Sequence, residues 1–278
     1  MPSTTTIAFL GGGNMATALI KGLLNAGVPE STLRVAEPNP ERRELLARDY
    51  SVSVFGDSSS AVVGAEVVVI AVKPGVVPGV LDEIRTAMSP QTLVISIAAG
   101  VSMGSLVAGL LHTQPIIRVM PNTPALIGAG VSVFFSGPGV SAEKEAQARW
   151  LLEAVGEVAR IDDEKLMDGV TALSGSGPAY VYLLAEALSD GGVACGLPRD
   201  LADRLAVGTL MGSAKLIAET GRHPGELKNQ VTSPGGTTIA GLAKLEQAGV
   251  RGAMIGAVMA AWERSRALKL EAEEKKNP

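Results

Sequence analysis

The chain holds one cysteine, two histidines and few aromatic residues: two Trp, three Tyr and four Phe in 278. The lone Cys195 excludes an internal disulfide and a cysteine-based zinc site, which suits a reducing compartment. In Gly-Val-Ala-Cys-Gly-Leu it reads as a small buried hydrophobe, not a nucleophile. His112 and His223 sit in structural contexts. Neither H-E-x-x-H nor G-x-S-x-G occurs, so no metal site and no serine hydrolase are expected. Aromatics at 3% and a net charge of −4 leave few stacking platforms and no basic surface for nucleic acid. Charge is also missing from Thr92 to Ile117, a stretch long enough to span a bilayer. Gly100, Gly104, Gly109 and Pro115 break it, and its two halves differ in periodicity, so a buried strand and a short helix explain it better. The start, Met-Pro-Ser-Thr-Thr-Thr-Ile, lacks a basic region, so no signal peptide, no membrane partner and a cytoplasmic protein are expected.

What is present is apolar and patterned. Hydrophobic residues make up 46% and charged ones 19%, the composition of a globular, helix-rich chain of one large domain or two ordinary ones. Ile7–Leu10 is a short apolar run, followed at once by Gly11-Gly12-Gly13-Asn14-Met15-Ala16 and a helical pattern that stops at Gly27. This is G-x-G-x-x-A between strand and helix, the context in which the motif means dinucleotide binding. Gly11 makes the turn, Gly13 lets backbone approach the pyrophosphate, and Ala16 permits close helix–strand packing. Leu33–Ala36 is a second strand ending at Glu37. An acid there takes the ribose 2′-hydroxyl of NAD, whereas a nearby Arg favours the 2′-phosphate of NADP. Both signals are present, since Asn39, Arg42 and Arg43 follow.

Further strands are expected at Val52–Phe55, Val67–Val72, Leu93–Gly100, Ile116–Met120, Gly130–Phe135 and Glu157–Ile161. Ser58 lies in a helix-capping loop after the third, and Lys73-Pro74 ends the fourth. Alternating strands and helices mean a doubly wound, Rossmann-like α/β domain with ligands at the strands' carboxyl ends. From about Asp163 only helical patterns remain. The expected division is 1–162, dinucleotide-binding, and 163–278, all-helical. Gly208 and Gly212 share one helix face, where another helix can pack closely. The last helix, from about Val250, has an apolar side.

With histidine and cysteine set aside, hydroxyls and amides remain: Asn122-Thr123, Ser174-Gly-Ser176 and Thr232-Ser-Pro-Gly-Gly-Thr-Thr238. Adjacent Gly235 and Gly236 let amides point into a cavity, and Thr237 or Thr238 is placed to N-cap a helix that favours a carboxylate. Such groups orient better than they abstract protons. That suits hydride transfer from a nicotinamide to an already activated substrate, such as a cyclic imine.

The motifs Phe9-Leu-Gly-Gly-Gly-Asn-Met15, Ala71-Val-Lys-Pro74, Ser96-Ile-Ala-Ala-Gly-Val101, Met120-Pro-Asn-Thr-Pro124, Leu173–Tyr180, His223–Lys228 and Ser233–Thr238 together resemble the pyrroline-5-carboxylate reductase family. The resemblance runs to about Leu270. It implies an α/β dinucleotide-binding domain followed by an all-α dimerisation domain, and a homodimer or higher homo-oligomer. It implies reduction of 1-pyrroline-5-carboxylate to L-proline with NADP(H), NADH being the alternative cofactor. Cofactor binding would fall to Gly11, Gly12, Gly13, Asn14, Met15, Glu37, Asn39, Arg42, Ser58, Ala71, Val72, Lys73, Pro74, Ala98 and Ala99. Substrate binding would fall to Asn122, Ser176, Ser233, Gly235, Gly236, Thr237 and Thr238, with Thr238 catalytic through a bond to the ring nitrogen. Glu37 departs from the small polar residues common in the family. β-Hydroxyacid dehydrogenases share the domain plan but need a lysine acid/base, for which Lys215 or Lys228 would have to serve, and their glycine-rich substrate motif is absent.

Overall fold

The computed structural model describes residues 5–274. The chain forms two compact units: one runs to Gly175 and takes the chain back from Ala261, and the other is Ser176–Ala260.

The first unit is built on an eight-stranded sheet. Its strands are β1 (Ile7–Leu10), β2 (Leu33–Ala36), β3 (Ser53–Phe55), β4 (Val67–Ile70), β5 (Leu93–Ser96), β6 (Ile116–Met120), β7 (Gly130–Ser136) and β8 (Gly156–Arg160). Their order is β3-β2-β1-β4-β5-β6-β7-β8, so the chain switches sides between β1 and β4. β1 to β6 are parallel; β7 then runs antiparallel to β6, with β8 parallel to β7. Successive residues feed opposite faces: Ile7, Phe9, Val67 and Val69 enter one core, and Ala8, Leu10, Val68 and Ile70 the other. Leu19, Ile20 and Leu23 of the helix Asn14–Asn25, with Leu151 and Leu152 of the helix Ala142–Glu153, close the first face. Val80, Leu81 and Ile84 of the helix Val77–Ile84 and Leu106 of the helix Met103–Gly109 close the second. Cover on both faces is why the central strands read as unbroken apolar runs.

The uncharged stretch resolves into β5, the helix Met103–Gly109 and the start of β6. Among the described residues no helix is long and apolar enough to cross a membrane. β4 and β5 end earlier than their apolar runs, at Ile70 and Ser96. Ala71 and Ile97 each still donate one amide across the sheet, to Leu10 and Ile70, before the chain leaves it. By their packing, the two compact units meet in sequence at Gly175 and Ser176. Residues 163–175 form short helical turns whose Met167 and Ala172 are buried, so they stay with the sheet.

The Ser176–Ala260 unit contains the helices Gly177–Ala194, Arg199–Thr220, Pro224–Gln230 and Thr237–Gln247, and the start of Val250–Glu274. Arg199–Thr220 follows Pro198 and stops at Gly221, which adopts the left-handed conformation (φ +61) that glycine tolerates best. Within this unit the buried residues are Ser189, Ala202 and Ala206. No large apolar side chain among its described residues is buried within the single chain.

Candidate active site

The carboxyl end of β1 carries the first group of candidates. Gly11 sits at φ +96, and a Cβ there would lie 3.0 Å from the Ala71 carbonyl oxygen and from Val72 Cγ1, so the position requires glycine. Gly13 opens the helix Asn14–Asn25 as its N-cap, with no side-chain cap and no acid in the first turn. Nothing lies within 4 Å of where a Gly13 Cβ would stand. The first amides of a twelve-residue helix, including those of Asn14 and Met15, therefore face an open approach. Unspent amides, a favourable dipole and room for close contact fit a diphosphate.

Beside this loop lies Glu37. Its Oε2 accepts from the Gly12 amide and its Oε1 from the Asn39 amide, both at 3.0 Å. Asn39 Oδ1 caps the helix Pro40–Tyr50 by accepting from the Arg42 amide. Arg42 reaches back across the glycine loop, Nε to the Gly12 carbonyl (2.8 Å) and Nη2 to Thr17 Oγ1 (2.9 Å). Arg43 Nη1 donates to the Glu37 and Pro38 carbonyls. Arg42 is thus tied to the glycine loop and Arg43 to the Glu37-Pro38 turn.

The remaining nucleotide candidates ring the strand ends unevenly. Ser58 is buried at the first position of the helix Ser58–Val62, and Asp57 supplies the cap. The Ser60 amide and the Ser59 hydroxyl hold the Asp57 carboxyl below the usual carboxylate range. Ala71 and Val72 are half-buried, and Lys73 and Pro74 are exposed just past β4. Of the Ala98-Ala99 pair, the Ala98 side chain is buried in the second core and Ala99 is exposed. Asn122 is largely committed as a brace. Its Oδ1 accepts from the Val131 amide at 2.8 Å and its Nδ2 donates to Ser174 Oγ at 3.2 Å.

The Ser176–Ala260 unit carries the other candidates. Ser176, half-buried, stands at the start of the helix Gly177–Ala194, which no side chain caps. Ser233-Pro-Gly-Gly236 makes a tight turn, with the Gly236 amide donating to the Ser233 carbonyl and Gly235 at φ +66. Proline second and a positive-φ glycine third is the type II pattern. A Cβ on Gly236 would collide with Ser233 Oγ. The helix Thr237–Gln247 begins directly after, and its N-cap is Gly236, not either threonine. That corrects the capping expectation. The helix opens with no side-chain cap and no acid in its first turn, so its amides and the Thr237 and Thr238 hydroxyls are available to a carboxylate and its neighbouring ring atom.

Other polar groups find structural employment. His223 Nδ1 accepts from the Gly225 amide at 3.0 Å and caps the helix Pro224–Gln230. Lys215, exposed, pairs with Glu219, and Lys228 is exposed on a short helix. Cys195 is exposed, not buried, because it sits at the carboxyl end of the helix Gly177–Ala194. Among the described residues no group of acids, histidines and cysteine is arranged to hold a metal ion. One pair escaped the sequence reading. Arg118, 4% exposed in β6, donates through Nη1 to Glu164 Oε1 at 2.6 Å, and the same oxygen accepts from the Met103 amide at 2.8 Å. The signal was a charge inside the apolar run Ile116–Met120.

A protein of this build is a dinucleotide-dependent oxidoreductase, and comparison with known proteins narrows the class. Residues 6–100 match the family model described as NADP oxidoreductase coenzyme F420-dependent, and residues 164–268 match pyrroline-5-carboxylate reductase dimerisation. The pyrroline-5-carboxylate reductase of Synechocystis is 46% identical over 264 residues, covering 94% of this chain and 97% of that one. The solved pyrroline-5-carboxylate reductase of Coxiella burnetii superposes with a TM-score of 0.90 at 34% identity, covering 95% of this chain and 98% of that one. The Plasmodium falciparum pyrroline carboxylate reductase, solved with NADP bound, gives 0.87 at 32% identity, with 96% and 99% covered. The chain belongs to the pyrroline-5-carboxylate reductase family.

Proposed function

We propose that this protein reduces 1-pyrroline-5-carboxylate to L-proline, with NADP(H) as cofactor and NADH as the alternative. The observation that carries the reading is the start of the helix Thr237–Gln247, where a glycine turn delivers uncapped amides and two threonine hydroxyls to a small acid. The nicotinamide, when bound, supplies the hydride for the imine carbon. The glycine loop and the helix start at Gly13 hold the diphosphate. The amides after Gly236, with Ser233 and Thr237, hold the substrate carboxylate, and the Thr238 hydroxyl orients the ring nitrogen. That nitrogen arrives protonated, so a site without a strong acid suffices. Mixing the protein with NADPH and pyrroline-5-carboxylate should consume the cofactor and yield proline. Cofactor binding without consumption would leave a dinucleotide sensor instead. The reading carries with it a cytoplasmic location, in keeping with the single cysteine.

The assembly follows from what the helical unit leaves open. Tyr182 (62%), Leu183 (65%), Val207 (55%), Met211 (68%) and Ile255 (61%) are exposed in the single chain. Tyr182, Leu183 and Val207 line an open groove of about 820 Å³. Nothing lies within 4 Å of the Cβ positions of Gly208 and Gly212. A helical unit without an apolar core of its own takes one from a second copy. The unit forms an intertwined, obligate homodimer. Sedimentation at micromolar concentration should show no folded monomer; a stable one would exclude this assembly.

A further inference from the structure

We propose that Glu37 sets the cofactor range: clasped between the Gly12 and Asn39 amides at the end of β2, its carboxylate takes the ribose 2′-hydroxyl and brings NADH into use beside NADPH. The inference rests on the dinucleotide reading above. Two hydrogen bonds of 3.0 Å hold the carboxylate, Oε2 against the Gly12 amide of the glycine loop and Oε1 against the Asn39 amide of its own turn. The side chains beside Glu37 are in part already engaged. Asn39 Oδ1 holds the Arg42 amide, Arg42 bonds Gly12 and Thr17, and Arg43 bonds two carbonyls of its own turn. A 2′-hydroxyl can donate to the waiting carboxylate with these bonds intact. A 2′-phosphate must share the pocket with a fixed negative charge, or shift Glu37. Glu37 is therefore a specificity-determining residue, not only a brace for the Gly12 amide.

The two roles part on a ratio. A brace lost would weaken NADH and NADPH alike, whereas a selector lost weakens NADH and strengthens NADPH. Dissociation constants for both cofactors, measured by calorimetry on the full-length protein and on Glu37→Gln and Glu37→Ser, read this without turnover. In both variants the NADPH-over-NADH affinity ratio should rise about tenfold or more, the scale of one charge-assisted hydrogen bond gained or lost. Equal losses for the two cofactors, or a ratio that moves less than about twofold, overturn the proposal. Should the parent bind neither cofactor, the dinucleotide reading itself fails, and this inference with it.

Discussion

Replacing Thr238 by alanine should lower kcat by roughly 10- to 100-fold, the lower part of the range for proton transfer because the substrate brings its own proton. The same replacement should leave the melting temperature unchanged or slightly raised. A sequence reading makes Thr238 either a catalytic group or a helix cap, and the cap reading expects stability to fall with turnover intact. The structure removes the cap. Gly236 holds that position with no side-chain bond, and Thr238 is the second residue of the helix. Alanine is the better helix former there, so no loss of stability is expected. What the hydroxyl would lose is its hold on the ring nitrogen, and misplacing the imine carbon costs on the order of 10²-fold per ångström. Cofactor affinity should hardly change, since the glycine loop belongs to the other unit. Normal kcat in a folded Thr238→Ala protein would remove the catalytic role. A lowered melting temperature would mean that the hydroxyl supports structure after all.

The first strands were legible because their ends are chemical. Ile7–Leu10 stops at Gly11 and Leu33–Ala36 stops at Glu37-Pro38, and both strands end there in the structure. Val67–Val72 and Leu93–Gly100 overran, because Ala71, Val72, Ile97 and Ala98 stay apolar while the strands themselves end at Ile70 and Ser96. Hydropathy records burial, and burial continues past the last ladder bond. The reversal of β7 lies in the turn Thr123–Ile127 and the left-handed Gly128, which composition marks as a turn without giving its direction. Within the site, residue types were legible and side-chain directions were not. Glu37 and the arginines after it send opposite cofactor signals, and the sequence does not show that the Gly12 amide holds the Glu37 carboxylate. Asn122 looks free until Val131 and Ser174 claim it. These are long-range contacts, and no local pattern encodes them.

The largest effect on stability is expected at Glu164. Its Oε1 is the shared acceptor for Arg118 Nη1 and the Met103 amide, joining β6, the head of the helix Met103–Gly109 and the first turn after the sheet. The Arg118 side chain is 5% exposed and that of Glu164 22%, so removing the carboxylate leaves a guanidinium charge where water hardly reaches. Breaking a buried pair from one side costs about 3–5 kcal/mol. Partial exposure of Glu164 puts Glu164→Ala near the lower end, about 3 kcal/mol. In a domain of this size that lowers the melting temperature by roughly 6–12 °C. Melting must be compared at one protein concentration, because the assembly contributes to it. Glu164→Gln keeps an oxygen for both donors and removes only the charge, so its loss should be smaller. Arg118→Met combined with Glu164→Gln removes the stranded charge and should recover much of what Glu164→Ala loses. The glycine loop and the helix at Thr237 contain neither residue, so kcat at low temperature should persist in all three. A Glu164→Ala protein that melts within about 2 °C of the parent would show that the Arg118 charge reaches water by another route.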